Sequence, residues 1–364
     1  MKHIRQLVRV GISTSVAAIV ATNISWAQTL TWLGGLPGAG TTEGLGVSDD
    51  GSVVVGFSSF RAFKWTRQGG MQDLGGSGWA TDVSADGSVI VGTINNRPVR
   101  WTQSGMQVLI DRPGIAWGVS GDGQLVSGWH YPTGSWPARA FRWRPDGVDV
   151  IDTLGGQESV GIEISRDGST VVGISNISGG PGYAFRWKNG LLQNLGSLYG
   201  GETWANGVSA NGSVVVGYSK NPQGRWRPFV WRESTNRMEE LSILPGYDNV
   251  QAYEVSGDGS IIVGFGTAPD GQEVAIRWIQ GRMENLNETY ANLLRDGSRL
   301  IRALGISNDG RYIVGRGFNA STNSTEAFLL DTGGCELRSD LNGDGVVDDA
   351  DLLQVLFDFG RSCP

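Results

Sequence analysis

The ten residues Val47-Ser48-Asp49-Asp50-Gly51-Ser52-Val53-Val54-Val55-Gly56 constrain this chain more than any other feature, because the chain repeats them. An Asp-Gly pair between two short apolar runs predicts a hairpin with a tight type I′ turn. Asp and Gly tolerate positive φ there, and the branched Val run favours a strand. The phrase returns six more times, with its Ser at 84, 120, 165, 209, 256 and 307. Successive serines stand 36, 36, 45, 44, 47 and 51 residues apart. A period near 40 holding four short strands fits a propeller blade, so seven copies predict an all-β, seven-bladed β-propeller. Six or eight blades would need a false or a hidden repeat.

In the first copy an inner strand ends at Val47, the second runs Ser52 to Gly56, the third is Ala62 to Trp65 and the outer one Met71 to Leu74. The third strand recurs as Val99-Arg100-Trp101, Phe141-Arg142-Trp143, Phe185-Arg186-Trp187, Phe229-Val230-Trp231, Ile276-Arg277-Trp278 and Phe328-Leu329-Leu330. Its alternation puts the large residues on one face and the Arg on the other. The tryptophans suit blade-to-blade packing better than sugar stacking, because their place in the repeat never moves. Four residues before each Ser stands Gly44, Ala80, Ala116, Gly161, Ala205, Ala252 or Ala303, as expected where inner strands crowd around an axis.

The seventh copy reaches Thr332 without a fourth strand, whereas Leu30 to Leu36 resembles the outer strands of other copies. The N-terminal strand should therefore complete the last blade, leaving no open edge. Before it, Lys2, Arg5 and Arg9, a mostly apolar or small run from Gly11 to Ala21 and Ser25-Trp26-Ala27 have the layout of a secretory signal. The alternative, a membrane anchor, is disfavoured by the shortness of the run. The expected units are a signal peptide at 1–27, the propeller at 28–333 and a C-terminal module at 334–364, in a secreted protein with no transmembrane segment after cleavage. Net charge is −7, nearer −10 without the leader, which argues against nucleic acid. Cys335 and Cys363, an even count in an exported chain, suggest one disulfide.

Loops between second and third strands, and those entering the inner strands, vary from copy to copy. In a propeller they share one rim, where binding concentrates. That face should carry Trp129, His130, Tyr131 and Trp136, then Tyr199 and Trp204, then Arg225, Trp226 and Arg227. Aromatics with Arg favour a protein or glycan ligand, unless they only plug long loops. Two residues before the Ser, Asp82, Glu163 and Glu254 replace the Gly of the other copies. They are placed to ring the axial channel for a cation or a sugar, or else to pair with a neighbouring Arg. The stretch from Asn287 to Leu294 reads as a short helix capped by Asn287, with Tyr290, Leu293 and Leu294 on one face.

The segment Asp340 to Asp351 has oxygen-bearing residues at Asp340, Asn342, Asp344, Asp348 and Asp351, the Val346 carbonyl at the seventh position and Gly345 for the sharp turn. That is a Ca2+ loop of the EF-hand kind, followed by a helix from about Asp349 to Phe359. Asp351 at the twelfth position and the following Leu352-Leu353 resemble the dockerin type I repeat. Such a resemblance implies a cohesin-like or cell-surface partner, although dockerins carry two loops and this chain one. The repeat phrase with the F-R-W and L-G-x-L-x-G strands resembles the HAF-repeat family of exported bacterial proteins, and more remotely the WD-repeat propellers. It departs at Asn211-Gly212 and at Ser127. The resemblance implies fold and export but no reaction. No nucleophile elbow is present, and the mature chain has one histidine, His130. The reading is a secreted, calcium-binding propeller that acts as a protein- or glycan-binding scaffold with a C-terminal attachment module. Its alternative is a dockerin-bearing carbohydrate-active enzyme, a glycoside hydrolase or polysaccharide lyase.

Overall fold

The computed structural model describes residues 28–333, and they form seven four-stranded antiparallel sheets. The inner strands are Thr42–Val47, Gly78–Val83, Gly114–Val119, Gly155–Ile164, Thr203–Val208, Asp248–Val255 and Arg299–Ile306. The first six sheets follow chain order, inner to outer, while the seventh takes its outer strand, Thr29–Trp32, from the N-terminus. Thr29 lies opposite Asp331 and Trp32 opposite Phe328, so the ring closes as the repeat predicted. The signal segment, the acidic loop with its Ca2+ ligands, the following helix and both cysteines lie outside the described residues. Among the described residues no helix is long and apolar enough to cross a membrane.

The hairpin turn is not of type I′. Only its Gly has positive φ, from +67° at Gly51 to +79° at Gly310 across the seven copies, and Asp50 and its equivalents do not. The Gly51 amide donates to the Ser48 carbonyl at 3.0 Å, which makes Ser48 to Gly51 a type I turn followed by a left-handed glycine. The repeat Ser holds this shape. Its Oγ accepts from the amide five residues on and donates to the Asp two residues on, at 2.5 to 3.2 Å, and Asn211 fills the Asp role in the fifth blade. The Asp carboxylate in turn accepts from the second following amide, as Ser52 donates to Asp50 at 2.9 Å. Spending the Asp side chain this way favours a right-handed backbone at that residue. Two-residue loops with positive φ at both positions occur elsewhere, at Ser59-Phe60 and Asn95-Asn96 between second and third strands.

Each turn glycine also seats its blade on the one before. A Cβ at Gly87 would stand 2.6 Å from Val53, and one at Gly51 would stand 2.6 Å from the ring of Tyr312 in the seventh blade. The small residues four before each Ser serve the same contact rather than crowding at the axis. A Cβ on Gly161 would meet the Gly128 carbonyl oxygen of the third blade at 2.7 Å. The third-strand tryptophans are buried between blades: Trp65 packs with Leu329 and Val314 across the closure, and Trp278 with Val216 and Val230 of the fifth blade. The arginine between the large residues stacks on the next blade's tryptophan, Arg142 lying 4.6 Å from the Trp187 ring. At 286–294 the cap is Asn285, not Asn287. Its side chain accepts from the Asn287 amide, one helical turn spans Leu286–Thr289, and a 3-10 turn spans Ala291–Leu293. Asn287 instead ties the segment to the seventh blade through Leu300.

Candidate functional site

Every inner strand is irregular at the same place. Its pairing with the second strand shifts register three residues before the repeat Ser, as between Gly44 and Gly46. A bulge re-aims side chains, and here the residues three and two before the Ser both turn to the axis. They join the residues five before the Ser in a single cavity of about 620 Å³ along the axis. Its volume falls in the range of small-ligand sites.

The mouth lies on the variable-loop side and is built from cross-strand pairs. The residue five before the Ser faces the one nine after it: Glu43 with Phe57, Trp79 with Thr93, Ile115 with Trp129, Trp204 with Tyr218 and Arg302 with Arg316. Trp117 and Tyr253 follow one step deeper. Seven aromatic rings therefore line the cavity, all of them half-buried with a face toward it. Trp204 stacks on Tyr218 at 6.5 Å, and Tyr218 leads on to Tyr253 at 6.1 Å. Arg302 is held away from the axis by two bonds to Glu273, at 2.7 and 2.9 Å, and by the Phe265 ring at 4.1 Å. Glu43 lies 3.7 Å from Arg316, and burial raises its carboxyl above the ordinary glutamate value.

Below the aromatics come the axial acids. Around the ring the residue two before the Ser reads Gly46, Asp82, Gly118, Glu163, Gly207, Glu254, Gly305, so acid and glycine alternate. The alternation is steric: a Cβ on Gly118 would stand 2.2 Å from Glu163 Oε1, and one on Gly207 would stand 2.8 Å from the Cα of Glu254. Each carboxyl is bonded to main-chain amides. Asp82 accepts from Val119 at 2.9 Å, Glu163 from Ile164 at 2.8 Å and Glu254 from Val255 at 2.9 Å. None has a cation within ion-pair distance. Protein encloses them on all sides, and this loss of bulk solvent favours the protonated form. Burial, opposed by Arg166 and by the amides of Val119 and Val83, lifts Asp82 to about 6. Burial, opposed by the Val255 amide, lifts Glu254 to about 8. Burial, with repulsion from Asp82 and Glu254, raises Glu163 well above its usual value.

The far end is narrow. Arg166 of the fourth blade reaches across to Asp49 of the first, 2.9 Å away, and to the Val83 carbonyl of the second at 3.3 Å. A belt of main-chain bonds runs beneath: Asp49 donates to Ala85, Ala85 to Gly121, Gly121 to Arg166, Asp167 to Ala210, Ala210 to Gly257 and Gly257 to Asn308. The Asn308 amide completes the circle by bonding the Asp49 carboxylate. The cavity is thus a funnel with aromatic walls, an acidic waist and a bonded floor.

The residues anticipated as a rim are divided. Trp129 and Trp204 belong to strands, not loops, and line the funnel. Trp226 stands behind Tyr218, edge to face at 4.9 Å. Arg225 is bonded to Asp248, while Arg227 lies 3.8 Å from Asp248 and 3.9 Å from Glu240, so neither is free. Tyr199 bonds Glu240, and Trp136 projects alone at 57% exposure. Tyr131 leans on Trp129 at 5.1 Å. His130 faces away from the axis onto Phe141, with both ring nitrogens buried and unbonded; burial, and then Arg112, lower its pKa. Asp82, Glu163 and Glu254 do ring the axis. Among the described residues, however, no group of three or more His, Cys, Asp or Glu is close enough to hold a metal ion. Sequence reasoning missed Phe57, Trp79, Trp117, Tyr218 and Tyr253. The available signal was variation at fixed offsets, five and three before the Ser and nine after, within a repeat otherwise nearly constant.

No known protein family is matched by the chain, and no curated protein matches it. Solved structures do resemble it. An oligogalacturonate lyase from Vibrio parahaemolyticus superposes with TM-score 0.58 at 11% identity, over 84% of this chain and 96% of that one. An oligogalacturonate lyase in complex with manganese gives 0.55 at 13%, over 84% and 98%. The Kuenenia stuttgartiensis hydrazine synthase gives 0.50 at 13%, over 80% and 95%. At such identities the likeness is one of fold, and it agrees with a propeller.

Proposed function

We propose that this chain is an exported propeller scaffold that binds a protein or glycan partner, taking one group of that partner into the axial funnel. One observation carries the reading: seven aromatic rings from seven different strands present faces to one cavity of about 620 Å³. A core would bury such faces against each other, whereas a ligand site leaves them facing a space. The paired Arg225 and Arg227 move the expected ligand face from the outer rim to the funnel. Export is supported by the leader-like first 27 residues. Binding of Ca2+ through Asp340, Asn342, Asp344, Val346, Asp348 and Asp351, in a dockerin-like attachment module, is supported by spacing alone.

An array of glycans and peptides probed with the full chain tests the reading. Capture should be lost in a Trp79→Ala, Trp204→Ala double variant that melts like wild type; undiminished capture by that variant would refute it. Calcium titration of the full chain should show heat that Asp340→Ala abolishes, and a wild type without heat ends the metal assignment. A second reading, a carbohydrate-active enzyme, is favoured by Glu254, a carboxyl near 8 in a cavity and therefore protonated at neutral pH, as a general acid must be. Turnover of a polysaccharide that Glu254→Gln abolishes would establish it in place of the first.

A further inference from the structure

The charges around the funnel do not balance. Two guanidinium groups reach it, and each is already matched: Arg166 by Asp49 and Arg302 by Glu273. Glu43 has Arg316. Asp82, Glu163 and Glu254 are left with backbone amides and no cation, enclosed by protein and facing the cavity. Above them stand the faces of Trp79, Trp117, Trp129 and Trp204, the negative side of the indole quadrupole. Carboxyls without a cation below and electron-rich rings around describe a site for positive charge carried on an apolar body. A bare metal ion is not that species, since it needs several oxygens at once and the acids do not converge.

We propose that the group taken into the funnel is an organic ammonium, held by the tryptophan faces and by the carboxylates of Asp82, Glu163 and Glu254. The inference rests on the funnel being a ligand site and adds the chemistry of the ligand. It also explains why three carboxyls sit where protein alone leaves them partly protonated. An incoming cation replaces their lost hydration, so they ionise and release protons as it binds. Binding should therefore tighten as pH rises from about 6 to 9. Burial and mutual repulsion of the three acids, opposed by Arg166 and the backbone amides, set this range; the other titratable groups nearby are Glu43, Asp49 and the phenols of Tyr218 and Tyr253. The cationic groups nearby are Arg166, Arg302 and Arg316. Both phenols are raised by burial and stay neutral there.

The test uses the full chain, with binding read by calorimetry and tryptophan fluorescence. Choline is set against its neutral carbon isostere 3,3-dimethylbutanol, and n-butylammonium against n-pentanol. Each ammonium should bind at least about 10-fold more tightly than its neutral partner, as expected for a desolvated cation on indole faces. The two ammonium arms distinguish a quaternary head from one that donates N–H bonds. Glu254→Gln and Glu163→Gln should weaken the ammonium, flatten its pH dependence and leave the neutral isostere unchanged. Trp204→Ala should weaken both. Equal binding of the isosteres, affinity that falls with rising pH, or no ammonium binding at millimolar concentration would overturn the inference. If a neutral saccharide binds where the ammonium does not, the funnel remains a ligand site and only its chemistry is wrong.

Discussion

The two ends of the ring share one backbone and differ in how they use it. At the turn end all seven blades carry the same Ser, an Asp or Asn and a Gly, and each side chain is spent on its own hairpin or on the blade before. At the mouth the same strands carry Glu, Trp, Ile, Val, Trp, Gln and Arg at one offset, and all but the Gln line the cavity. Repetition marks the positions that hold blades together; divergence marks those that do not. The carboxyls separate in the same way. Hydrogen bonds hold the turn carboxyls of Asp50, Asp86, Asp167 and Asp258 below their usual value in spite of burial, while burial holds Asp82, Glu163 and Glu254 above theirs.

The largest effect should come from breaking closure. Deleting residues 28–36 strips the seventh sheet of its outer strand and removes Leu33 and Leu36, both almost fully buried. Those two side chains alone contribute about 3–6 kcal/mol, and the Phe328 strand becomes an open edge. We expect loss of the cooperative melt or oligomers by light scattering; a variant that melts like wild type would show that the ring does not need its latch. Next comes a single turn. Gly168→Ala meets a φ of +72° and a contact of 2.4 Å with Leu125, and should cost about 2–4 kcal/mol in chemical denaturation while leaving the affinity of folded protein intact. At the mouth, Trp79→Ala should do the reverse, lowering binding with less change in stability.

How far the sequence could be read follows the same division. The Ser, the Gly and the small residue before them were visible because they recur, and they led to the blade number and to closure by the N-terminal strand. Their reasons were less visible. The Asp-Gly pair suggested type I′, but the Ser48 hydroxyl competes for the Asp and keeps it right-handed. Its place in the repeat suggests that Gly161 crowds at the axis, yet the bulge after it turns it onto the third blade. A bulge has no residue signature of its own here, so the positions it aims inward, Trp117 and Tyr253 among them, passed as ordinary strand residues. Arg166 is the single basic residue at a position filled elsewhere by Asp, Ala, Gly or Asn, and its partner Asp49 stands more than a hundred residues away.

The axial acids supply a smaller effect whose sign separates the two ends. A carboxyl raised on folding binds its proton in the native state and not in the unfolded chain between the two pKa values, so stability falls as pH rises through that window. For Glu254 the window runs from the ordinary 4.5 to about 8, and for Asp82 from 3.8 to about 6. The turn carboxyls, lowered on folding, have the opposite slope: their contribution is present above the ordinary value and is lost as pH falls through the folded one. Acid should thus unfold the protein from its turns, and mild alkali should strain its waist. Glu254→Gln should raise the melting midpoint at pH 9 by about 1–3 kcal/mol equivalent and change little at pH 5. An equal gain at both would mean that the carboxyl is not held protonated.

The smallest expected effect tests whether the mouth, rather than its surroundings, is the site. Trp136 is exposed and touches little, and Arg225 spends its charge on Asp248. Exposed ion pairs contribute about 0–1 kcal/mol, so Arg225→Ala should shift stability by no more than that, and Trp136→Ala by less. Both lie on the variable-loop side, where composition alone would put ligand contacts. If aromatic and basic content of the loops decided recognition, these two variants would lose capture on the array as fully as Trp204→Ala. If the funnel decides it, they should stay within about 2-fold of wild type, because rim contacts outside a desolvated pocket carry little binding energy. A large loss at Trp136 with none at Trp204 would move the site outward, off the inner strands and onto the loop between Tyr131 and Ala138.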